Sequence, residues 1–105
     1  MTDLLKQGMT LDDLRARRDE ILRLAEKHGA SNVRVFGSVA RGEARPDSDV
    51  DFLVTFREGA SLYDVSGLWQ DLQELLGCEV SLIEETDDPR RERFMRNALG
   101  DAVLL

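Results

Sequence analysis

Cysteine, histidine and long apolar runs are the conspicuous shortages of this chain. Cys78 is the only cysteine, which excludes an internal disulfide and suits a reducing compartment. No apolar stretch approaches the ~18–20 residues of a membrane-spanning helix, and no charged-then-apolar leader opens the sequence. A cytoplasmic protein without membrane contact is expected. An excess of positive charge is missing too. The net charge of −7 repels a nucleic-acid backbone, so no direct nucleic-acid binding is expected. The same charge fits a chain that gathers cations or docks on a basic partner.

What is present describes an ordinary globule. Apolar residues make up 42% and charged residues 33% of the 105, which suits one compact domain spanning residues 1–105. There is no repeat, low-complexity tract or linker. So small a chain has little spare surface for a deep cleft, and completion of a site by a homo- or hetero-oligomeric partner is a natural expectation.

Thr10-Leu11-Asp12-Asp13 reads as a helix start, with Thr10 as N-cap and Asp13 near the positive helix end. The segment before it is read as an added helical turn or a frayed end. Leu11, Leu14, Ile21, Leu24, Ala25 and His28 recur near a 3.6-residue period, and Gly29 is the stop, which predicts one helix over about residues 11–28. Asn32 to Phe36 alternates as a strand and ends at Gly37. Asp49 to Phe56 is a second strand. Val50, Phe52, Val54 and Phe56 share one of its faces, and Asp49, Asp51 and Leu53 share the other. Ser61 caps a further helix with a core stripe of Leu62, Val65, Leu68, Trp69, Leu72 and Leu76, closed by Gly77. Cys78 to Ile83 is a third strand, and Pro89 to Ala98 a last helix that starts on proline. The fold class expected is α/β (α+β), a small mixed sheet covered by helices mainly on one face. The other face can stay open, and Asp49 and Asp51 point there.

The informative stretch is Gly37-Ser38-Val39-Ala40-Arg41-Gly42, followed by Pro46-Asp47-Ser48-Asp49-Val50-Asp51. Glycine directly after a strand permits a tight turn and lets a phosphate approach without a Cβ in the way. Ser38 adds a hydroxyl and opens a short helical turn whose free N–H groups favour an anion. Asp49 and Asp51, two apart on one strand, project side by side and repel each other unless a hard cation lies between them. Mg²⁺ is the natural occupant, because it prefers oxygen and usually shares its coordination sphere with substrate phosphate. A phosphate cradle followed by a paired carboxylate site is an arrangement for phosphoryl or nucleotidyl transfer. Either half alone carries little weight, since Gly-Ser turns and Asp-x-Asp strand ends are common.

Gly37-Ser38-x-Ala40-x-Gly42 with Ser48-Asp49-x-Asp51 resembles the signature of the minimal nucleotidyltransferases, relatives of DNA polymerase beta and of the aminoglycoside nucleotidyltransferases. The likeness extends over roughly residues 11–98. It implies a polymerase beta-like nucleotidyltransferase fold in which Gly37 and Ser38, with Ser48, bind the triphosphate of ATP or another nucleoside triphosphate. It also implies that Asp49 and Asp51 are catalytic and hold Mg²⁺, up to two ions, while an attacking hydroxyl displaces pyrophosphate. The family places a third carboxylate on the next strand, in a Val-Asp-Leu-Val-like segment. Here that segment is Val80-Ser81-Leu82-Ile83, so Ser81 stands where the third aspartate is expected. Its loss should hurt transfer more than triphosphate binding. Glu79 shares the strand face of Ser81 but lies about 7 Å away along the strand. Glu84, Glu85 or a partner's carboxylate are weaker substitutes.

The remaining candidates have blander explanations. Arg41 and Arg45 flank the cradle but suit solvated loop arginines. His28 suits capping or packing at a helix C-terminus, Trp69 the core, and Cys78 an inert strand position. Arg90, Arg91, Arg93 and Arg96 suit a solvated helix face. The apolar end Ala102-Val103-Leu104-Leu105 either folds back on the core or packs on another chain.

Minimal nucleotidyltransferases of this length are often paired with a small helical HEPN-domain toxin, a ribonuclease that the nucleotidyltransferase neutralises by moving AMP from ATP onto a tyrosine. The resemblance therefore implies a Mg²⁺-dependent protein adenylyltransferase acting as antitoxin. An alternative is a binding module that neutralises its partner by contact and has lost transfer. A small-molecule nucleotidyltransferase would usually need an extra substrate-binding domain, for which this chain is expected to have no room unless a partner supplies it.

Overall fold

The computed structural model describes residues 8–105. Gly8 and Met9 are not helical, and the rest of the segment expected to add a turn lies outside the described residues. Thr10 caps α1 (Leu11–Ala16), its hydroxyl accepting from Asp13 N–H at 3.1 Å while the Asp13 carboxylate accepts from Thr10 N–H at 3.0 Å.

The single helix expected over residues 11–28 is two. Arg17 leaves the helical region at φ −113°, ψ 18°, separating α1 from α2 (Arg18–Lys27). An unbroken helix would carry Arg17 and Arg18 onto the face that buries Leu14. The break lets both point away, so Leu14, Ile21 and Ala25 reach the core. Arg17 Nη1 then donates to the Leu75 carbonyl at 3.0 Å, serving a group near the end of another helix.

β1 (Ala30–Phe36) starts earlier than expected and carries a register shift between Ser31 and Arg34. Asn32 sits there at φ 52°, a conformation asparagine tolerates better than most residues. A short α3 (Gly37–Arg41) leads to β2 (Val50–Phe56), and α4 (Leu62–Leu76) follows. β3 spans Val80–Glu84, shorter at its start than expected. Pro89–Arg91 forms a 3₁₀ turn that runs into α5 (Glu92–Asp101). The strand order is β3-β2-β1-β4, with β1 antiparallel to β2 and β4 and with β2 parallel to β3.

β4 (Val103–Leu104) was not anticipated as a strand. It settles the two alternatives for the apolar end in favour of folding back: Val103 and Leu104 pair with Val35 and Arg34, and Leu105 is buried in the main core. That core lies between the sheet face bearing Val35, Val50, Phe52 and Val54 and the helices α1, α2 and α4. The opposite face is only partly open, because Phe36 and Leu53 form a second, smaller cluster with Met95 and Ala98 of α5. The α4 stripe is narrower than expected. Leu68 and Leu72 are buried, whereas Leu62 is 85% and Trp69 41% exposed. Trp69 lies at the sheet edge, where its indole N–H donates to the Val80 carbonyl at 2.7 Å.

His28 caps the C-terminal end of α2, and its Nε2 lies 2.7 Å from the Asp71 carboxylate of α4. Hydrogen bonds from His28 and then Lys27 hold the Asp71 carboxyl below its usual range. The packing reading of His28 fits this position. No helix among the described residues is long and apolar enough to cross a membrane.

Candidate functional site

Three chain segments converge where β1, β2 and β3 lie side by side. β1 ends on extended backbone at Phe36, and Gly37 turns the chain at φ 71°, a left-handed conformation that suits glycine. α3 starts on that turn, and no side chain caps its first N–H groups. Val39, 1% exposed, anchors the helix in the core while Ser38 stays half-buried beside Gly37. Gly42, at φ 74°, ends it.

The register aligns Phe36, Asp51 and Ser81 across the sheet. Gly37 lies against the Asp51 carboxylate so closely that an added Cβ would collide with its Oδ2. Burial first, and then the charge of Asp49, pushes the Asp51 carboxyl above its usual range, with Arg41 opposing. Asp49 itself is exposed just ahead of β2. Its charge and that of Glu79 add to burial in raising the Cys78 thiol, so Cys78 is poorly suited to act as a thiolate.

Ser81 is therefore the direct strand neighbour of Asp51, the position from which a third carboxylate would face the other two. Among the described residues no group of three or more His, Cys, Asp or Glu side chains could hold a metal. The donor set nevertheless fits Mg²⁺ shared with a substrate. Two neighbouring carboxylates supply hard oxygens, one of them with a raised proton affinity in the absence of a cation, and the Cβ-free turn leaves room for phosphate ligands.

The other sequence candidates take distinct places. The Ser48 hydroxyl accepts from Arg45 N–H at 2.9 Å and shapes the loop leading to Asp49. Arg41 is exposed, as expected, but it ends α3 and is ion-paired rather than free in a loop. Its Nε donates to Glu43 at 2.7 Å and its Nη1 to Asp101 at 2.6 Å. Asp101 and Phe94 of α5 join Phe36, Gly37 and Arg41 around a hollow of ≈ 260 Å³ beside the turn. Phe94 meets Phe36 edge-to-face at 6.1 Å and lies under the Arg91 guanidinium. The sequence reading missed Asp101 and Phe94, for which no local pattern exists. Arg90 and Arg96 pair with Asp88 and Glu92 of their own segment, in keeping with a solvated face. A larger hollow of ≈ 520 Å³ lies beside α4 and β3. Its lining is mostly apolar, and it lacks the carboxylates and turn that the chemistry requires.

The chain has counterparts in sequence and fold among known proteins. The family model for the nucleotidyltransferase domain matches residues 18–105. The chain is similar to the protein adenylyltransferase MntA of Thermococcus cleftensis, 48% identical over 60 residues, a match covering 57% of this chain and 61% of that protein. The chain thus matches less than two thirds of that relative's length. A solved structure provisionally named a minimal nucleotidyltransferase superposes with a TM-score of 0.77 at 46% identity, covering 93% of this chain and 98% of the other. A chain from the complex of tri-AMPylated Shewanella oneidensis HEPN toxin with MNT antitoxin shares the fold alone, with a TM-score of 0.63 at 15% identity over 86% of this chain and 69% of its own. With a Gly-Ser turn set against Asp51 of β2 and Asp49 just ahead of it, and with the domain model spanning most of its length, the chain belongs to the nucleotidyltransferase domain family and has the minimal nucleotidyltransferase fold.

Proposed function

We propose that this protein is an antitoxin that binds Mg-ATP and transfers AMP to a hydroxyl of a HEPN-domain toxin. The observation that carries the reading is the contact of Gly37 with Asp51, which joins the phosphate turn and the carboxylate pair into one site. The names of the similar proteins, an adenylyltransferase and a toxin–antitoxin complex, support the choice of acceptor class.

In this reading Asp49 and Asp51 would hold Mg²⁺, which when bound would neutralise charge on the triphosphate. Gly37 N–H, Ser38 and the uncapped first turn of α3 bind the β- and γ-phosphates and hold the triphosphate in line. Arg41, one helical turn beyond Ser38, contributes positive charge after exchanging Asp101 or Glu43 for a phosphate oxygen. The acceptor oxygen bonds to the α-phosphorus, the bond to the bridging oxygen of pyrophosphate breaks, and the hydroxyl proton leaves to a base. Ser81 is neutral and cannot be that base at neutral pH. The base is a carboxylate of the partner or water. The site is open and shallow, and the partner's surface completes it. A reducing cytoplasm is the compartment consistent with the unpaired Cys78.

A second reading rests on Ser81 alone: nucleotide binding is kept, transfer is lost, and the partner is neutralised by contact. Incubation of the purified chain with Mg-ATP and a HEPN-domain partner, followed by intact mass spectrometry of the partner, separates the two. Added AMP with release of pyrophosphate is the expected result. An unmodified partner held in a stable, ribonuclease-silent complex would replace the first reading with the second.

A further inference from the structure

β3 is an edge strand, and its two sides are not equally satisfied. Val50 N–H donates to the Glu79 carbonyl and Glu85 N–H to the Val54 carbonyl, so the odd-numbered residues of β3 turn their backbone groups toward β2. Val80, Leu82 and Glu84 turn theirs outward. Side chains of α4 serve Val80: Gln73 Oε1 accepts from its N–H at 3.1 Å, and Trp69 Nε1–H donates to its carbonyl at 2.7 Å. Among the described residues nothing serves the outward groups of Leu82 or Glu84. Beside them lies the apolar hollow of ≈ 520 Å³, lined by Leu62, Tyr63, Val65, Trp69 and Leu82 with Ser66. Leu62 and Tyr63 project from the start of α4 at 85% and 89% exposure, and neither contributes to the core.

We propose that the free edge of β3 from Leu82 to Glu84, together with this hollow, docks an extended segment of a partner protein that is apolar at alternate positions and basic at its ends. The unpaired N–H and C=O groups call for a strand. Leu82 lies on the α4-covered face of the sheet, as its pairing with buried Phe52 shows, so every second side chain of an added strand falls toward the hollow. Charge selects the rest of the segment. Glu79 before β3, and Glu84 and Asp87 at and beyond its end, are exposed and form no ion pair among the described residues. Lysine or arginine at both ends of the incoming strand would meet them. A second copy of this chain fits worse. Two-fold antiparallel pairing about Leu82 would set Glu84 opposite Val80, whose backbone groups are already taken, and would bring the acidic ends of two chains of net charge −7 together.

The surface is independent of nucleotide transfer, so its test needs no activity. The ¹⁵N-labelled full chain is titrated with an acetylated heptapeptide, Lys-Val-Thr-Val-Ser-Val-Arg, and with its counterpart carrying glutamate at both ends. Saturable shifts centred on the Leu82 and Glu84 amides, with slowed exchange there, are expected for the basic peptide. Affinity at least about tenfold lower is expected for the acidic peptide and for the Leu62→Ser/Tyr63→Ser variant, whose exposed positions leave folding intact. No saturation by ~1 mM, equal binding of both peptides, or shifts elsewhere would overturn the proposal. So would sedimentation showing a dimer of the free chain that protects Leu82, since the occupant would then be a second copy.

Discussion

Gly37 has two constraints on it, one from the backbone and one from its neighbour. Its φ of 71° disfavours any side chain, and the Asp51 carboxylate occupies the space a Cβ would need. Gly37→Ala should therefore lower stability by about 1–2 kcal/mol from the dihedral alone. It should also cut Mg-ATP affinity by an order of magnitude or more as the carboxylate is displaced. Urea denaturation and calorimetric titration read the two effects separately. Ser81 invites the opposite experiment. Because it is the strand neighbour of Asp51, Ser81→Asp adds a third carboxylate without moving the backbone. Transfer rate should rise at least about tenfold with little change in triphosphate affinity, given the usual contribution of a positioned base. A rate unchanged by the substitution would mean that the partner already supplies that group. The turn at Gly37 and the place of Asp51 on β2 were legible because turn chemistry and strand alternation are local. Asp101 was not. It meets Arg41 across 60 positions of sequence, and neither residue's neighbourhood announces the other.

At the scale of elements, periodicity located the helical segments before β1 and after β2 but misjudged where two faces end. Leu11 through His28 keeps an apolar period on paper, yet Arg17 and Arg18 fall where the core-facing stripe would continue from Leu14, and the helix breaks at Arg17. In α4, hydrophobic identity placed Leu62 and Trp69 in the core, whereas the sheet beneath them stops at β3. β4 has two residues, too few for any alternation to show. The α2–α4 contact also carries a pH signature. The folded protein holds the Asp71 carboxyl below its usual value of 3.8, chiefly through His28. A depressed acid stabilises the fold above the unfolded value and ceases to do so as pH falls through the folded value. The stability difference between wild type and Asp71→Asn should thus be full near neutrality and shrink below pH 3.8 in urea titrations. A difference constant down to low pH would show that the contact does not depend on the charge.

At the scale of the whole molecule, one sheet carries two unequal layers. Helices α1, α2 and α4 bury the face that holds the main core, and α5 covers only part of the other, leaving Asp49 and its neighbours at an accessible rim. In the proposed reaction the acceptor's own surface excludes water from the reacting phosphate at that rim. The net charge of −7 is in keeping with the cation and the protein partner proposed for the site. The most direct test of nucleotidyl transfer follows label from ATP marked at the α- or the γ-phosphate, with Mg²⁺, a HEPN-domain partner, and Asp49→Asn/Asp51→Asn as the control. The account predicts that α-label becomes covalently attached to the partner, that γ-label leaves as pyrophosphate, and that both signals vanish in the control. Label transferred from the γ-position, or α-label transfer that survives loss of both aspartates, would contradict it.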